Sequence, residues 1–220
     1  VSHELKTPIG AISLLTEAIA GAHDDPDTIR KFSASLQKEA ARLGSLVQEL
    51  MQLSRVQGAN LSDTAVELDL ALVINDAVDR NQVLAEQRGV KLVTSALKGS
   101  RMVGDYEMLT TAVRNLVENA IAYSDKGSQV GIGLKEIDGV AEIAVTDSGI
   151  GISEDEQERI FERFYRVDPS RSRDTGGTGL GLSIVKHAAS NHKGEVRLFS
   201  KEGVGSTFTL RLPIQNRETN

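Results

Sequence analysis

The stretch GGTGLGLSIVKHAASN, residues 176–191, joins a run of glycines to a helix with an apolar face. Glycines directly before a helix present backbone N–H groups and the positive end of the helix dipole to an anion. No Gly-Lys-Ser/Thr follows, so the run is not a P-loop, and it lacks the tight preceding strand of the dinucleotide-binding fingerprint. The pattern therefore predicts a phosphate cradle at the head of a helix over residues 181–191.

The region around this cradle, residues 66–214, mixes predicted strands and helices. The apolar pattern predicts strands at 66–70, 90–93, 130–134, 141–146, 195–200 and 205–212, and helices at 71–88, 107–123 and 181–191. Helices grouped with a mainly antiparallel sheet form a two-layer α/β sandwich. We expect a polar tail at 215–220.

Residues 1–57 have a helical period instead and predict a helical hairpin. The first helix should end near residue 22, after which Asp25 can cap a second helix that begins at Pro26. The apolar residues of the two helices are Leu5, Ile9, Ile12 and Ile19, then Ile29, Phe32, Leu36, Leu43, Leu46, Leu50 and Leu53, with Glu39 interrupting the second series. Such a stripe needs a partner, either a second copy in a dimeric four-helix bundle or the rest of the same chain. Residues 58–65 form the predicted linker.

Composition excludes several classes of protein. The 220 residues carry a net charge of −6 with no basic block, which argues against a nucleic-acid partner. There are no cysteines, so disulfides and thiolate metal sites are excluded, as is usual in a reducing compartment. No apolar run approaches the roughly 20 residues that span a bilayer. Because the chain starts in mid-pattern without Met, we expect a fragment of a longer protein.

The helical motif Asn-Leu-Val-Glu-Asn-Ala at 115–120 places two amides four residues apart, on one helix face. Tyr123 continues this polar stripe. Amide oxygens are suitable ligands for a hard cation and its polyphosphate, and a solvated helix face is the alternative interpretation.

Asp147 follows the strand predicted at 141–146 and begins the motif Asp-Ser-Gly-Ile-Gly. A carboxylate at a strand end can accept a hydrogen bond from an exocyclic amino group. Gly149 and Gly151 allow the backbone to approach a flat ring closely.

Residues 159–166, RIFERFYR, combine basic and aromatic side chains. Arg166 precedes the polar stretch 167–175, which we predict to be a mobile lid. A helix-packing patch is the alternative interpretation.

Five motifs occur in one order: His-Glu-Leu-Lys-Thr-Pro at 3–8, Asn-x-x-x-Asn-Ala at 115–120, Asp-x-Gly-Ile-Gly at 147–151, Phe-Glu-Arg-Phe-Tyr-Arg at 161–166 and Gly-Thr-Gly-Leu-Gly-Leu at 177–182. From residue 1 to about 213 the chain resembles the transmitter core of bacterial two-component sensor histidine kinases. The resemblance implies a dimeric helical hairpin followed by an ATP-binding α/β sandwich of the histidine kinase/Hsp90-like type. It also implies that the chain is a cytoplasmic fragment of a membrane-anchored sensor kinase. Residues 121–124 and 183–187 are further similar to phosphate-responsive kinases of actinobacterial type.

By this resemblance His3 is the phosphoacceptor, and it passes its phosphate to an aspartate on the receiver domain of a response regulator. A neutral imidazole is a good nucleophile near pH 7. Glu4 would accept the other ring proton, although adjacent side chains on a helix point about 100° apart. Thr7 lies on the face of His3 and would orient water in a phosphatase reaction toward the regulator, and Pro8 should bend the helix.

The resemblance also implies a site for ATP and Mg²⁺. Asn119 would hold Mg²⁺ and phosphate, Asn115 the phosphates, and Arg166 the charge of the transferred γ-phosphate. Around the adenine and along the nucleotide it assigns Tyr123, Asp147, Thr207, Gly149, Gly151, Gly177, Gly179, Gly181 and Leu182.

One position departs from the family pattern. Many members carry Lys or Arg three residues after the second Asn, where this chain has Ala122. We hypothesise that Lys126, Arg171 or Arg173 partly replaces that basic residue.

Two other functions are less consistent with the sequence. An ATPase of the same fold typically has Glu at the position of Asn115 to activate water, so this chain lacks that general base. A non-catalytic dimeric scaffold should have lost His3, Asn119 or the glycines, and all of them are present.

Overall fold

The computed structural model describes residues 2–22, 25–58, 61–95, 100–167 and 177–214, without the side chains of Ser2, His3 and Ser62. The chain divides into two compact units, one of residues 1–52 with 168–178 and one of residues 53–167 with 179–220. Within the described ranges, no helix has the length and apolar character needed to cross a bilayer. The tail predicted at 215–220 and most of the lid predicted at 167–175 lie outside the described residues.

The first unit contains α1 (Ser2–Gly21) and most of α2 (Pro26–Gly58). Asp25 caps α2 as predicted, because its Oδ1 accepts hydrogen bonds from the backbone N–H of Asp27 at 3.2 Å and of Thr28 at 3.0 Å. A further bond from the Thr28 hydroxyl is the main cause of the lowered pKa of Asp25, followed by the bond from the Thr28 N–H. The two predicted helices are confirmed, with Pro26 as the first residue of α2.

The second unit begins with the short helix α3 (Leu61–Thr64) and holds the mixed α/β elements. Its other helices are α4 (Leu70–Arg88), α5 (Tyr106–Tyr123) and α6 (Gly181–Asn191). Its strands are β1 (Val66–Asp69), β2 (Lys91–Thr94), β3 (Arg101–Gly104), β4 (Gln129–Ile137), β5 (Val140–Asp147), β6 (Glu195–Lys201) and β7 (Gly205–Pro213). Two 3₁₀ turns, Glu154–Glu156 and Arg159–Phe161, lie between β5 and α6.

A five-stranded sheet in the order β2-β4-β5-β7-β6 forms one layer. All its pairings are antiparallel except β2 with β4. Strands β1 and β3 form a separate antiparallel pair. The two-layer α/β sandwich predicted from the sequence is confirmed.

The core lies between one face of this sheet and the helices. Alternate residues of the central strands are buried there, including Ile143, Phe208 and Leu210, and α5 contributes Leu109 and Leu116. Side-chain caps begin two of the helices, since Asp69 accepts from the Ala71 N–H at 2.8 Å and Asp105 accepts from the Met108 N–H at 2.9 Å. These caps satisfy backbone donors that the first turn of a helix otherwise leaves free.

His192 joins the end of α6 to the start of α5 and is buried. Its Nε2 accepts from the Asp105 N–H at 3.0 Å, and its Nδ1 lies 2.8 Å from the Ala188 carbonyl. Because a carbonyl can only accept, Nδ1 carries the proton and the ring is neutral. Burial lowers the pKa of His192, which favours this neutral form.

The last residues of α2, 53–58, belong to the second unit. Leu53 and Val56 are buried, and the Asn191 amide donates to the Val56 carbonyl at 2.6 Å. Gln57 Nε2 lies 3.2 Å from His187 Nε2. This end of α2 is therefore anchored on α6.

Two elements differ from the sequence prediction. The linker predicted at 58–65 contains α3, a single turn that is too short to give a periodic signal. Strand β3 was not predicted, because its four residues are paired only with the distant β1.

Candidate functional site

The Asp147 carboxylate is a buried acceptor at the end of β5. Its Oδ1 accepts from the backbone N–H of Gly149 at 2.9 Å and of Ser206 at 3.2 Å. Burial raises the pKa of Asp147, and these two hydrogen bonds oppose that shift. Because both bonds end on Oδ1, Oδ2 remains available to accept a hydrogen bond from a ligand amino group.

Gly149 lies against the end of α5. A Cβ at this position would approach the Tyr123 carbonyl oxygen to 2.2 Å. Only glycine permits this contact without moving backbone. The contact brings the Tyr123 backbone and the Asp147 turn together.

Thr207 does not join this cluster. It pairs with Thr146 across β5 and β7, and their hydroxyl oxygens lie 3.0 Å apart. Successive side chains of a strand point to opposite faces, so Thr207 lies on the face away from Asp147. Ser206, which pairs with Asp147, occupies the expected place instead. The sequence contains a signal for this, because Ser206 alternates with the apolar residues Phe208 and Leu210 and so lies on the same, buried face of the strand.

Ser206 also connects Asp147 to the neighbouring strand. The hydroxyls of Ser206 and Ser200 are 2.9 Å apart, and Ser200 Oγ accepts from the Ile152 N–H at 2.9 Å. Gly151 lies between these groups and has a positive φ of 68°. The Asp-Ser-Gly-Ile-Gly turn is therefore fixed at both ends.

Asn115 is buried on α5 and faces the start of α6. Its amide donates to the Thr111 carbonyl at 2.8 Å, and its Oδ1 lies 2.8 Å from the position that a Cβ on Gly181 would take. The structure thus brings the asparagine motif and the glycine-rich run together. Asn115 Oδ1 therefore lies beside the first turn of α6, whose N–H groups the sequence predicts to bind phosphate.

Asn119 and Tyr123 follow on the same helix, and both are half-buried. Glu118 is turned to Arg114 instead, with Oε1 and Nε 3.3 Å apart. Burial raises the pKa of Glu118, and the charge of Arg114 opposes this. Glu118 is therefore engaged in an ion pair along α5.

The rest of the glycine-rich run leads into α6. Gly179 has a positive φ of 79°, and its carbonyl accepts from the Phe164 N–H at 2.8 Å. Gly177 has open space around its Cα, and Leu182 is the half-buried second residue of α6. The bond from Phe164 links this run to the segment that ends at Arg166, which is half-buried.

The residues present fit a nucleotide with Mg²⁺. Asp147 offers an acceptor for an amino group, and Gly177, with no atom within 4 Å of its Cβ position, leaves open space in the glycine-rich run. Among the described residues, no group of three or more His, Asp or Glu side chains could hold a metal ion. The Asn119 side chain would offer an amide oxygen to Mg²⁺, which commonly keeps waters and takes few protein ligands.

The predicted phosphoacceptor His3 lies in the first turn of α1, and its side chain is outside the described residues. Glu4 and Thr7 lie on the same helix, and Pro8 is a buried residue inside it. Proline has no N–H, so the Glu4 carbonyl lacks its usual helical donor.

Two of the three proposed substitutes for the missing basic residue, Arg171 and Arg173, lie outside the described residues. The third, Lys126, packs its side-chain carbons close to Gly89 at the end of α4. Ala122 is half-buried.

A cavity of about 570 Å³ lies between residues 158–163 and α6. Phe161, Arg163, Lys186 and His187 contribute to its lining. None of the residues predicted to bind nucleotide lines this cavity.

Two family models match the chain. Residues 1–59 match the His Kinase A (phospho-acceptor) domain, and residues 104–216 match the Histidine kinase-, DNA gyrase B-, and HSP90-like ATPase. The chain belongs to the sensor histidine kinases.

Among relatives of this histidine kinase core is the sensor-like histidine kinase SenX3 of Mycolicibacterium smegmatis. It is 52% identical over 213 residues, which cover 97% of this chain and 56% of SenX3. The kinase core thus spans about half the length of this relative. The similarity supports the actinobacterial type.

Solved structures have the same fold. The histidine kinase AdeS of Acinetobacter baumannii matches with a TM-score of 0.76 and 24% identity, over 97% of this chain and 98% of that one. The histidine kinase ThkA, solved in complex with the response regulator protein TrrA, matches with a TM-score of 0.76 and 23% identity, over 100% of this chain and 61% of that one.

Proposed function

We propose that this chain transfers the γ-phosphate of ATP to His3 and then to an aspartate on the receiver domain of a response regulator. The observation that supports this most is the presence of a phosphoacceptor domain at 1–59 and an ATP-binding domain at 104–216 in one chain. Each supplies one of the two partners of a phosphoryl transfer, an acceptor and a donor site.

The acceptor side of the reaction needs a neutral imidazole at His3. Glu4 accepts the other ring proton, which keeps the attacking nitrogen unprotonated. The phosphorus–nitrogen bond that forms is labile enough to pass the phosphoryl group to a carboxylate. Thr7, one turn after His3, orients water in the reverse function of the kinase, removal of phosphate from the regulator.

The donor side holds ATP between the Asp147 turn and the start of α6. Asp147 accepts from the adenine amino group, Tyr123 packs beside the ring, and Asn115 with the α6 N–H groups binds the phosphates. Asn119 holds Mg²⁺, which when bound neutralises phosphate charge. Arg166 stabilises charge on the transferred group.

Transfer to histidine is favoured over hydrolysis by the identity of residue 115. Asn115 is an amide engaged with the Thr111 carbonyl, and the nearby carboxylate, Glu118, is paired with Arg114. Neither group is suited to deprotonate water beside the phosphates. We therefore expect little hydrolysis of ATP that is not coupled to phosphorylation of His3.

Dimerisation through the hairpin is part of the proposal. Ile9, Leu14, Val47 and Met51 on α1 and α2 are between 44% and 69% exposed in the single chain. A second copy would cover such residues in a four-helix bundle. A response regulator is the second partner, as the response regulator protein TrrA is for ThkA in their solved complex.

Incubation with γ-labelled ATP and Mg²⁺ tests the reaction. The unaltered chain and His23→Gln, the matched control, should gain acid-labile label. His3→Gln should lose it because the acceptor is gone, and Asn119→Asp because the metal ligand is altered. Equal labelling of His3→Gln, or label that survives acid, would contradict the proposal.

A further inference from the structure

Tyr165 directly precedes Arg166 and is held by two side chains from the same region. Its hydroxyl donates a hydrogen bond to a carboxylate oxygen of Glu156. The Arg159 guanidinium carbon lies 4.2 Å from the centre of its ring. We call Glu156, Arg159 and Tyr165 the Tyr165 clamp.

The base of the clamp is fixed to the sheet. Glu156 ends the first 3₁₀ turn, and the next residue, Gln157, donates its amide to the Ile152 carbonyl at 3.1 Å and the Ser200 carbonyl at 3.3 Å. Ser200 Oγ in turn accepts from the Ile152 N–H. These bonds fix the backbone next to Glu156, whose carboxylate accepts from the Tyr165 hydroxyl, to β6 and to the Asp147 turn.

The backbone beside the clamp is held in an uncommon conformation. Phe164 has a φ of +65°, in the left-handed region that residues with a side chain rarely adopt. Its N–H donates to the Gly179 carbonyl at 2.8 Å, next to α6. Such a conformation persists where surrounding contacts determine it, and the clamp supplies contacts on the following residue.

The charges of the clamp are mutually compatible. The hydrogen bond to Glu156 is the main cause of the raised pKa of Tyr165, so the phenol stays protonated and able to donate. Arg159 also lies near Glu162, with Nε and Oε1 4.0 Å apart. Both arginine contacts hold its guanidinium group over the ring.

We propose that Tyr165, held by Glu156 and Arg159, is a positioning residue that fixes the direction in which Arg166 leaves the backbone. This inference rests on the proposed function, because it concerns the role of Arg166 in phosphoryl transfer. The Tyr165 hydroxyl is already used in its hydrogen bond to Glu156. We therefore place the effect of the clamp on the orientation of the next residue, Arg166. A displacement of about 1 Å in a group that stabilises the transition state can cost up to about 100-fold in rate.

The kinetic test separates positioning from nucleotide binding. Tyr165→Phe and Glu156→Ala should lower the rate of His3 phosphorylation at saturating ATP by about tenfold, with ATP affinity within about threefold of the unaltered chain. Glu156→Gln should keep most of the rate, since its amide oxygen still accepts. Asp155→Ala, an exposed neighbour in the same 3₁₀ turn, is the matched control and should change neither value.

A second arm asks whether the effect passes through Arg166. In an Arg166→Ala background, Tyr165→Phe should cause no further loss of rate, because there is no guanidinium left to orient. A full additional tenfold loss there, or an unchanged rate for Tyr165→Phe alone, would overturn the inference. So would a fall in ATP affinity that matches the fall in rate.

Hydrogen exchange distinguishes a failure of this inference from a failure of the proposed function. The Phe164 and Tyr165 amides, bonded to the Gly179 and Glu162 carbonyls, should exchange faster in Glu156→Ala but not in Asp155→Ala. Absence of phosphorylation in the unaltered chain would refute the function alone. Unchanged exchange in Glu156→Ala would refute the clamp whether or not the chain is active.

Discussion

The helical hairpin buries little of its surface in the single chain. Among the described residues of α1 and of 26–52 in α2, two side chains are buried, those of Pro8 and Leu46. The sandwich instead buries Leu70, Ile74, Leu116 and many others completely. The hairpin keeps large apolar side chains exposed, such as Leu14 at 69%. The two regions therefore obtain their stability in different ways.

The difference indicates which region is complete in a single chain. A sheet covered by helices buries enough apolar surface to fold independently of concentration. Two helices with incompletely covered apolar faces gain most of their stability from packing against another element. We therefore expect the hairpin to depend on a second copy and the sandwich to be independent of it.

The largest expected effect lies inside the sandwich. Gly149→Ala should destabilise it by about 3 kcal/mol and weaken nucleotide binding, because the new Cβ would meet the Tyr123 carbonyl at 2.2 Å. Gly131→Ala, with no atom within 4 Å of its Cβ position, is the control. Denaturant unfolding followed by near-ultraviolet circular dichroism of the tyrosines measures this, since all three tyrosines lie in the sandwich. Equal stability of the two variants would be inconsistent with the packing described.

The next effect should be confined to the hairpin. Ile9→Asp should raise the dissociation constant of the dimer at least about tenfold, because it loses apolar burial and adds a charge to the interface. Ile9 is 51% exposed in the single chain, and Val83→Asp, at a 64% exposed position of α4, is the control. Analytical ultracentrifugation distinguishes the two. If Val83→Asp dissociated the dimer and Ile9→Asp did not, the sandwich and not the hairpin would depend on the second copy.

A smaller effect should depend on pH and arise in the sandwich. The pKa of His192 is lowered from 6.5 by burial, so below about pH 6.5 the unfolded chain binds a proton that the folded chain does not. Stability should therefore fall as the pH drops from 7.5 toward 5, because the folded chain needs the neutral ring that accepts from the Asp105 N–H.

His192→Gln should reduce that slope, measured by the same tyrosine signal. The raised pKa values of Asp147 and Glu118 act with the opposite sign and are common to both proteins. His187, whose pKa is also lowered, provides the comparison variant His187→Gln. An unchanged slope in His192→Gln would show that its protonation is not coupled to folding.

The smallest effect concerns a helix cap. Asp69→Ala should cost about 1 kcal/mol, because the Ala71 N–H loses its acceptor, whereas Asp69→Asn keeps one. Both variants should leave dimerisation unchanged. If Asp69→Asn lost as much stability as Asp69→Ala, the effect would arise from the charge of Asp69 rather than from the helix cap.

Much of the fold could be predicted because its signals are local. Residues 181–191 form α6 with both ends as predicted, since a glycine run precedes the apolar stripe and polar residues follow it. Asp25 and Pro26 likewise predict the start of α2. Strand β3 lacks such a signal, because its pairing with β1 is non-local.

The candidate site was predictable in its motifs but not in all its contacts. The approach of Asn115 to Gly181 follows from two separate motifs that the fold brings together. Thr207 was assigned by resemblance, and a one-residue difference along β7 moves a side chain to the other face of the sheet. The contact of Glu156 with Tyr165 depends on the path of the chain between two 3₁₀ turns, which no periodicity reveals.

We expect the nucleotide site to deliver phosphate to His3 rather than to water. A single-turnover reaction with γ-labelled ATP, followed by separation of labelled protein from free phosphate, measures this partition directly. Acid-labile label should appear on His3 in step with ADP formation, with little free phosphate at early times. Free phosphate formed in step with ADP, with no label on the protein, would contradict it.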